Sequence, residues 1–174
     1  MAFQVTTTIP YTPEQVFGGL TNRDFHVYAA DAFRADLDEF SVMPHEPAAS
    51  DTVSVNIQRT VNGEDFANKL PSAVQRFAKG RISIEQAEAW SAAGDDGARD
   101  ANATIKVPMV KATATATIKL YPTEDGSGTV VDTEGSVKST IPLVGSKIAQ
   151  LAEPQVGKLL TGLTKKLEAW LKEH

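Results

Sequence analysis

The chain has 174 residues, of which 41% are hydrophobic and 22% charged, with a net charge of −5 and no cysteine. That length suits one domain, spanning 1–174, with a real core, and the missing thiols exclude disulfides, thiolate metal sites and a cysteine nucleophile. An acidic balance without a run of Lys or Arg argues against nucleic acid as a partner, and the scattered His26, His45 and His174 suggest neither a metal centre nor a cofactor.

The opening run, AFQVTTTI, is rich in β-branched residues and closes at Pro10, as a strand does. It lacks the basic and apolar regions of a signal peptide, and no run of about eighteen apolar residues follows anywhere. The expectation is a cytoplasmic protein with no membrane span. In YTPEQVF, Thr12 can cap a helix, Pro13 suits its first position and Gln15 completes a capping box. Tyr11 and Val16 have the spacing of a hydrophobic staple, and Gly18 and Gly19 keep this helix short. Asn22 can cap a second short helix, whose predicted apolar face is Phe25, Tyr28, Ala29, Ala32 and Phe33.

From there the chain reads as strands. DLDEFSVM ends at Pro44, and TVSVNIQRTV puts Val53, Val55, Ile57, Arg59 and Val61 on one face. The segment FANKLPSAVQRFAKG then shows helical spacing at Phe66, Leu70, Val74 and Phe77, with Pro71 suited to a first turn. It reads either as a lid over a cavity mouth or as a connector that seals the end of the sheet. In ISIEQAEAW the inward side carries Ile82, Ile84, Gln86, Glu88 and Trp90, and RDANATIKV follows with Ala101 and Ala103 inward. KATATATIKL lines its apolar side with Ala112, Ala114 and Ala116 before Ile118 and Leu120, and TVVDTEGSVKSTI closes the series. The links AAGDDGA, PM and EDGSG are short and turn-rich, so neighbouring strands should pair antiparallel.

The remainder, PLVGSKIAQLAEPQVGKLLTGLTKKLEAWLKEH, reads as a long amphipathic helix. Its predicted stripe is Val144, Ile148, Leu151, Val156, Leu159, Leu163, Leu167 and Trp170, with a kink expected near residues 150–154 because Pro154 lacks a backbone donor. The resulting class is α+β: a curved, seven-stranded antiparallel sheet wrapped around a long C-terminal helix, with two short helices after the first strand.

This order resembles the helix-grip fold of the START-like (Bet v 1-like, or SRPBCC) superfamily. Within it, IPYTPEQVFGGLTNRDF, LPSAVQRFAKGRISIEQAEAW and IPLVGSKIAQL resemble the uncharacterised DUF2505-type family. The resemblance implies a cavity between sheet and helix that holds a hydrophobic small molecule or lipid. It supplies no catalytic motif, and superfamily members range from lipid carriers to cyclases and chaperone regulators, so fold alone does not choose a function.

Against that background the inward alanines pose a question, because cores are normally filled to crystal-like density. Either Ala112, Ala114 and Ala116 wall a cavity, or the last helix packs close to them through Gly157 or Gly162. Arg59 is either a polar anchor for a ligand carboxylate or carbonyl, pairing with Glu88, or a strand-end residue that snorkels to water. The candidate ligand-binding set is therefore Arg59, Phe77, Glu88, Trp90, Ala112, Ala114 and Ala116. His26, with Asp24 and Asp31 near it in sequence, reads as a surface or capping histidine, the alternative being acid–base work in the cavity. The leading function is binding of a hydrophobic or amphipathic small molecule as carrier, buffer or sensor. The alternatives are a cyclase- or hydrolase-type enzyme, although no nucleophile and base pair is evident, and a protein-interaction module with a filled interior.

Overall fold

A computed structural model of the chain describes residues 2–44, 52–68 and 72–174. His45, Leu70 and Pro71 lie outside the described residues, as do the side chains of Phe66 and Val74. The elements run β1 (Ala2–Ile9), α1 (Pro13–Leu20), α2 (Arg23–Ala32), β2 (Ala35–Pro44), β3 (Val53–Asn62), α3 (Glu64–Ala67), α4 (Ser72–Gln75), β4 (Arg81–Trp90), β5 (Arg99–Val107), β6 (Ala112–Pro122), β7 (Thr129–Ser139) and α5 (Gly145–Glu173). The seven strands form one sheet in the order β1-β7-β6-β5-β4-β3-β2, with every pairing antiparallel. β2 to β7 are thus a meander, and β1 closes onto β7 with Ala2 opposite Ser136.

The local signals explain the helix starts. Gln15 N–H donates to Thr12 Oγ1 at 3.2 Å while Thr12 N–H donates to Gln15 Oε1 at 2.9 Å, which completes the capping box. Asn22 Oδ1 accepts from Asp24 N–H at 2.8 Å and so starts α2. The β6–β7 turn is pinned by Asp125, whose carboxylate accepts from the Ser127 hydroxyl and N–H and from the Thr123 hydroxyl. Those bonds favour the ionised form and hold Asp125 at a pKa of about 2. The β5–β6 link is a single 3₁₀ turn, Pro108–Val110, followed by Lys111 in the left-handed region.

Two helix faces differ from the predicted ones. On α2 the buried residues are Phe25, His26, Ala29 and Ala30, while Tyr28 and Ala32 face outward. The spacing rule favoured Tyr28 because it is apolar, but a buried hydrogen-bond chain makes His26 the inward residue. On α5, Leu159 is exposed and Leu160 turns inward, and the buried side also includes Ala149 and Glu153. Adjacent leucines at 159 and 160 leave the phase of the stripe ambiguous. The helix continues unbroken through Pro154.

The main core is built where α1, α2 and the second half of α5 meet the sheet. Phe25, Trp90, Leu167 and Trp170 are buried there, with Trp170 edge-on to Phe25 at 5.8 Å and Phe17 edge-on to Trp90 at 5.4 Å. Each such side chain contributes about 1.5–3 kcal/mol by leaving water. A second cluster, Ala114, Val137 and Ala149 with Phe3 and Val156 against it, joins the first half of α5 to β6 and β7. No helix among the described residues is long and apolar enough to cross a membrane.

Candidate functional site

Between α5 and the inner face of the sheet lies a cavity of about 80 Å³. Its walls come from β1 (Phe3, Val5), β5 (Ala103, Ile105), β6 (Ala114, Ala116) and α5 (Leu160, Leu163), and its polar end is Gln86 and Glu88 beside Trp90. Strand alternation puts all the strand residues among these on the same side of the sheet, facing α5.

The alanines turn out to have different roles. Ala116 and Ala103, which are directly opposite each other, border the cavity. Ala114 also reaches the wall but packs with Val137 and with Ala149 of α5, a close approach of helix to sheet. Ala112 is half-buried and off the wall. The glycines proposed to meet the alanines face elsewhere, since a Cβ on Gly157 would lie 3.5 Å from Val5 and one on Gly162 would lie 3.5 Å from Phe33. Part of the room left by small residues is taken by Phe3. It pairs with Gly135, itself opposite Ala116, and its ring lies where a Gly135 side chain would go, 2.8 Å from the Cβ position.

Arg59 does not snorkel to water. Its guanidinium turns inward, donating to Gln86 Oε1 at 2.7 Å and meeting His26 Nδ1 at 3.1 Å. Gln86 Nε2 in turn donates to Glu88 Oε1 at 2.8 Å, and Trp90 Nε1 donates to Glu88 Oε2 at 3.0 Å. Arg59 and Glu88 are therefore joined through Gln86, across neighbouring strands whose register sets Arg59 opposite Ile84 and Val55 opposite Glu88. At the other end His26 Nε2 lies 2.7 Å from the Leu20 carbonyl oxygen.

This chain of partners settles the state of the imidazole. A guanidinium can only donate and a carbonyl can only accept, so His26 carries its proton on Nε2 and accepts at Nδ1. His26 is buried, not at the surface. Burial lowers its pKa from 6.5 to about 4; the Leu20 hydrogen bond opposes that and the Arg59 charge adds to it. Burial pushes the Glu88 carboxyl above its ordinary 4.5, against the lowering effect of the Trp90 and Gln86 hydrogen bonds and of Arg59. It also lowers the Arg59 guanidinium from its ordinary value, offset in part by the Glu88 charge.

Of the sequence candidates, Glu88, Trp90, Ala114 and Ala116 border the cavity, whereas Arg59, Phe77 and Ala112 do not. Arg59 stands behind the wall as support for Gln86. Phe77, half-buried, lies after α4 with the Arg76 guanidinium 4.8 Å from its ring centre. Wall residues outside that set include Gln86, Phe3, Val5, Ile105 and Leu160, and the inward side of AFQVTTTI was a readable signal for Phe3 and Val5. A second, open depression of about 810 Å³, lined by polar residues including Asp38, Asn56, Glu85 and Lys106, has charges of both signs.

Residues 4–171 match the family described as "Protein of unknown function (DUF2505)". The chain belongs to the DUF2505 family. Among solved structures, a START superfamily protein from Mycobacterium smegmatis is similar at 10% identity and TM-score 0.57, over 99% of this chain and 97% of that one. Ara h 8.0201 is similar at 12% identity and TM-score 0.56, over 100% and 99%. The Zhui aromatase/cyclase from Streptomyces sp. R1128 is similar at 9% identity and TM-score 0.57, over 99% and 93%. At such identities the likeness is one of fold, and this DUF2505 chain has the START-like helix grip. No curated protein matches the sequence.

Proposed function

We propose that the protein binds a small amphipathic molecule in the cavity, its apolar body among Ala116, Ile105 and Leu160 and its polar head at Glu88 and Gln86. One observation carries this reading: a largely apolar cavity ends in a buried carboxyl group held in place by neighbours on both oxygens. Sites for small molecules are built in this way, with few polar groups that fix orientation. Since Glu88 rather than Arg59 faces the cavity, the favoured head group is a hydrogen-bond donor, a hydroxyl or an amine, and not the carboxylate that an Arg59 anchor would select.

Size limits the choice. Typical ligand pockets hold roughly 300–1,000 Å³, and an engineered cavity of about 150 Å³ takes in benzene. At about 80 Å³, this cavity takes a short chain as it stands and a single ring if Leu160 and Leu163 change rotamer. A long-chain lipid requires α5 to move outward.

The test compares benzyl alcohol, toluene and benzoate by calorimetric titration, with native mass spectrometry of the purified protein to look for a retained small molecule. A hydrogen bond to a charged group contributes about 1.5–3 kcal/mol, or roughly ten- to a hundredfold in affinity. Benzyl alcohol should bind that much more tightly than toluene and benzoate, and Glu88→Gln should reduce the preference. Failure of all three to bind, or equal binding of alcohol and toluene, would refute the proposal.

A second reading rests on Glu88 alone, because a buried carboxyl of raised pKa on a cavity wall has the character of a general acid. Both of its oxygens are engaged by Gln86 and Trp90, which favours holding a ligand over transferring a proton. Turnover of a bound ligand that Glu88→Gln abolishes without loss of binding would establish the catalytic reading instead.

A further inference from the structure

The end of the sheet at which α5 begins is built differently from the rest of the surface. The β5–β6 turn and the β7–α5 loop meet there: Ser139 Oγ donates to the Val110 carbonyl at 2.7 Å and Thr140 N–H donates to the Lys111 carbonyl at 3.1 Å. The two loops present Pro108, Met109, Pro142 and Leu143 to solvent. Leu143 is fully exposed and has φ 72°, in the left-handed region. That conformation is costly for leucine and free for glycine, so in water this position is unfavourable both for the backbone and for the side chain.

The strands and the helix that these two loops join carry mostly positive charge at this end. Lys106, Lys111, Lys138 and Lys147 are all exposed, and the register sets Lys106 and Lys138 on either side of Thr113, next to the turn. No Asp or Glu occurs from residue 101 to 123 or from 135 to 152, in a chain whose net charge is −5. Glu85, opposite Lys106, offsets part of the charge. Exposed apolar side chains ringed by lysines are the pattern of a surface that enters the headgroup region of a membrane.

We propose that this end docks on an anionic lipid bilayer, with Met109 and Leu143 entering between the headgroups and the four lysines lying over their negative charge. The lysines complement anionic headgroups, whereas in an isologous contact with a second copy they would face the same lysines. Docking does not depend on what the cavity holds, because none of these residues borders it.

The experiment is co-sedimentation of the full chain with vesicles of phosphatidylcholine and phosphatidylglycerol (3:1), and with phosphatidylcholine alone. Binding is expected to the anionic vesicles and to disappear in about 0.5 M salt, where screening lengths fall to a few ångströms. Each lysine near an anionic surface is worth about fivefold in partitioning, so Lys111→Ser with Lys147→Ser should weaken it about 25-fold. Leu143→Gly should weaken it while leaving thermal stability unchanged or raised, which separates lost docking from lost folding. The proposal is overturned by no binding to anionic vesicles, by equal binding to phosphatidylcholine alone, or by indifference to these variants. It is equally overturned by a dimer in analytical ultracentrifugation that Leu143→Gly dissociates, since the second copy would then be the occupant. Cavity binding measured without vesicles should be the same in every variant, so the two proposals fail separately.

Discussion

The buried imidazole makes stability depend on pH in a way that can be isolated. His26 is neutral in the folded protein with a pKa of about 4, against 6.5 in the unfolded chain. Between those values the unfolded chain takes up a proton that the folded protein refuses, so stability falls as pH drops from about 6.5 and levels off below about 4. At about 1.4 kcal/mol per pH unit, that window is worth roughly 3 kcal/mol, a large part of the roughly 5–15 kcal/mol that holds a domain together. Glu88 acts with the opposite sign. Its raised pKa makes the folded state hold a proton more firmly, a contribution present at low pH and lost as pH rises past about 4.5. The wild-type profile therefore mixes two slopes, and the comparison with His26→Gln separates them. Glutamine can still accept from Arg59 and donate towards the Leu20 carbonyl, but it does not titrate. Urea unfolding followed by tryptophan fluorescence should show that between pH 7 and 4.5 wild type loses about 2.5 kcal/mol more than the variant. Equal losses, or a His26 resonance titrating near 6.5, would refute the reasoning.

The alanines supply a paired prediction. Ala114→Leu should overpack the contact with Val137 and Ala149 and cost about 1–3 kcal/mol, whereas Ala116→Leu should extend into the cavity, keep stability and displace an apolar fluorescent probe. Thermal melts and probe titrations of the two variants check both halves. Gly135→Ala should lower the melting temperature markedly, because its Cβ would meet the Thr115 carbonyl and lie 2.8 Å from the Phe3 ring. Adding Phe3→Leu to that variant should recover part of the loss.

The elements were legible because their signals are local. Alternation marked β3, β4 and β6, and Thr12, Pro13 and Gln15 marked the start of α1 before any tertiary contact was known. What a residue meets across the fold was not legible. The inward direction of Arg59 followed from alternation, but its partners depend on the β3–β4 register and on the face that α2 turns to the sheet. His26 looked polar and therefore exposed, and only the Leu20 carbonyl and Arg59 together make its burial tolerable. The alanine pattern did signal unusual space, yet the ring that fills part of it comes from β1, two strands away. On α5 the choice between Leu159 and Leu160 lay within the error of any helical stripe.

The pairing of Ala2 with Ser136 also orders events in time. β1 has no partner until β7 has been made, and contacts so distant in sequence close slowly. Until then β1 is a lone strand with open hydrogen-bonding edges, a hazard for pairing with other chains. Its outward residues, Gln4, Thr6 and Thr8, keep one face wetted during that wait. The inward residues Phe3, Val5 and Ile9 stay uncovered until α5, later still in the chain, packs over them. The sheet is thus completed when β7 is made, and the cavity only when α5 follows.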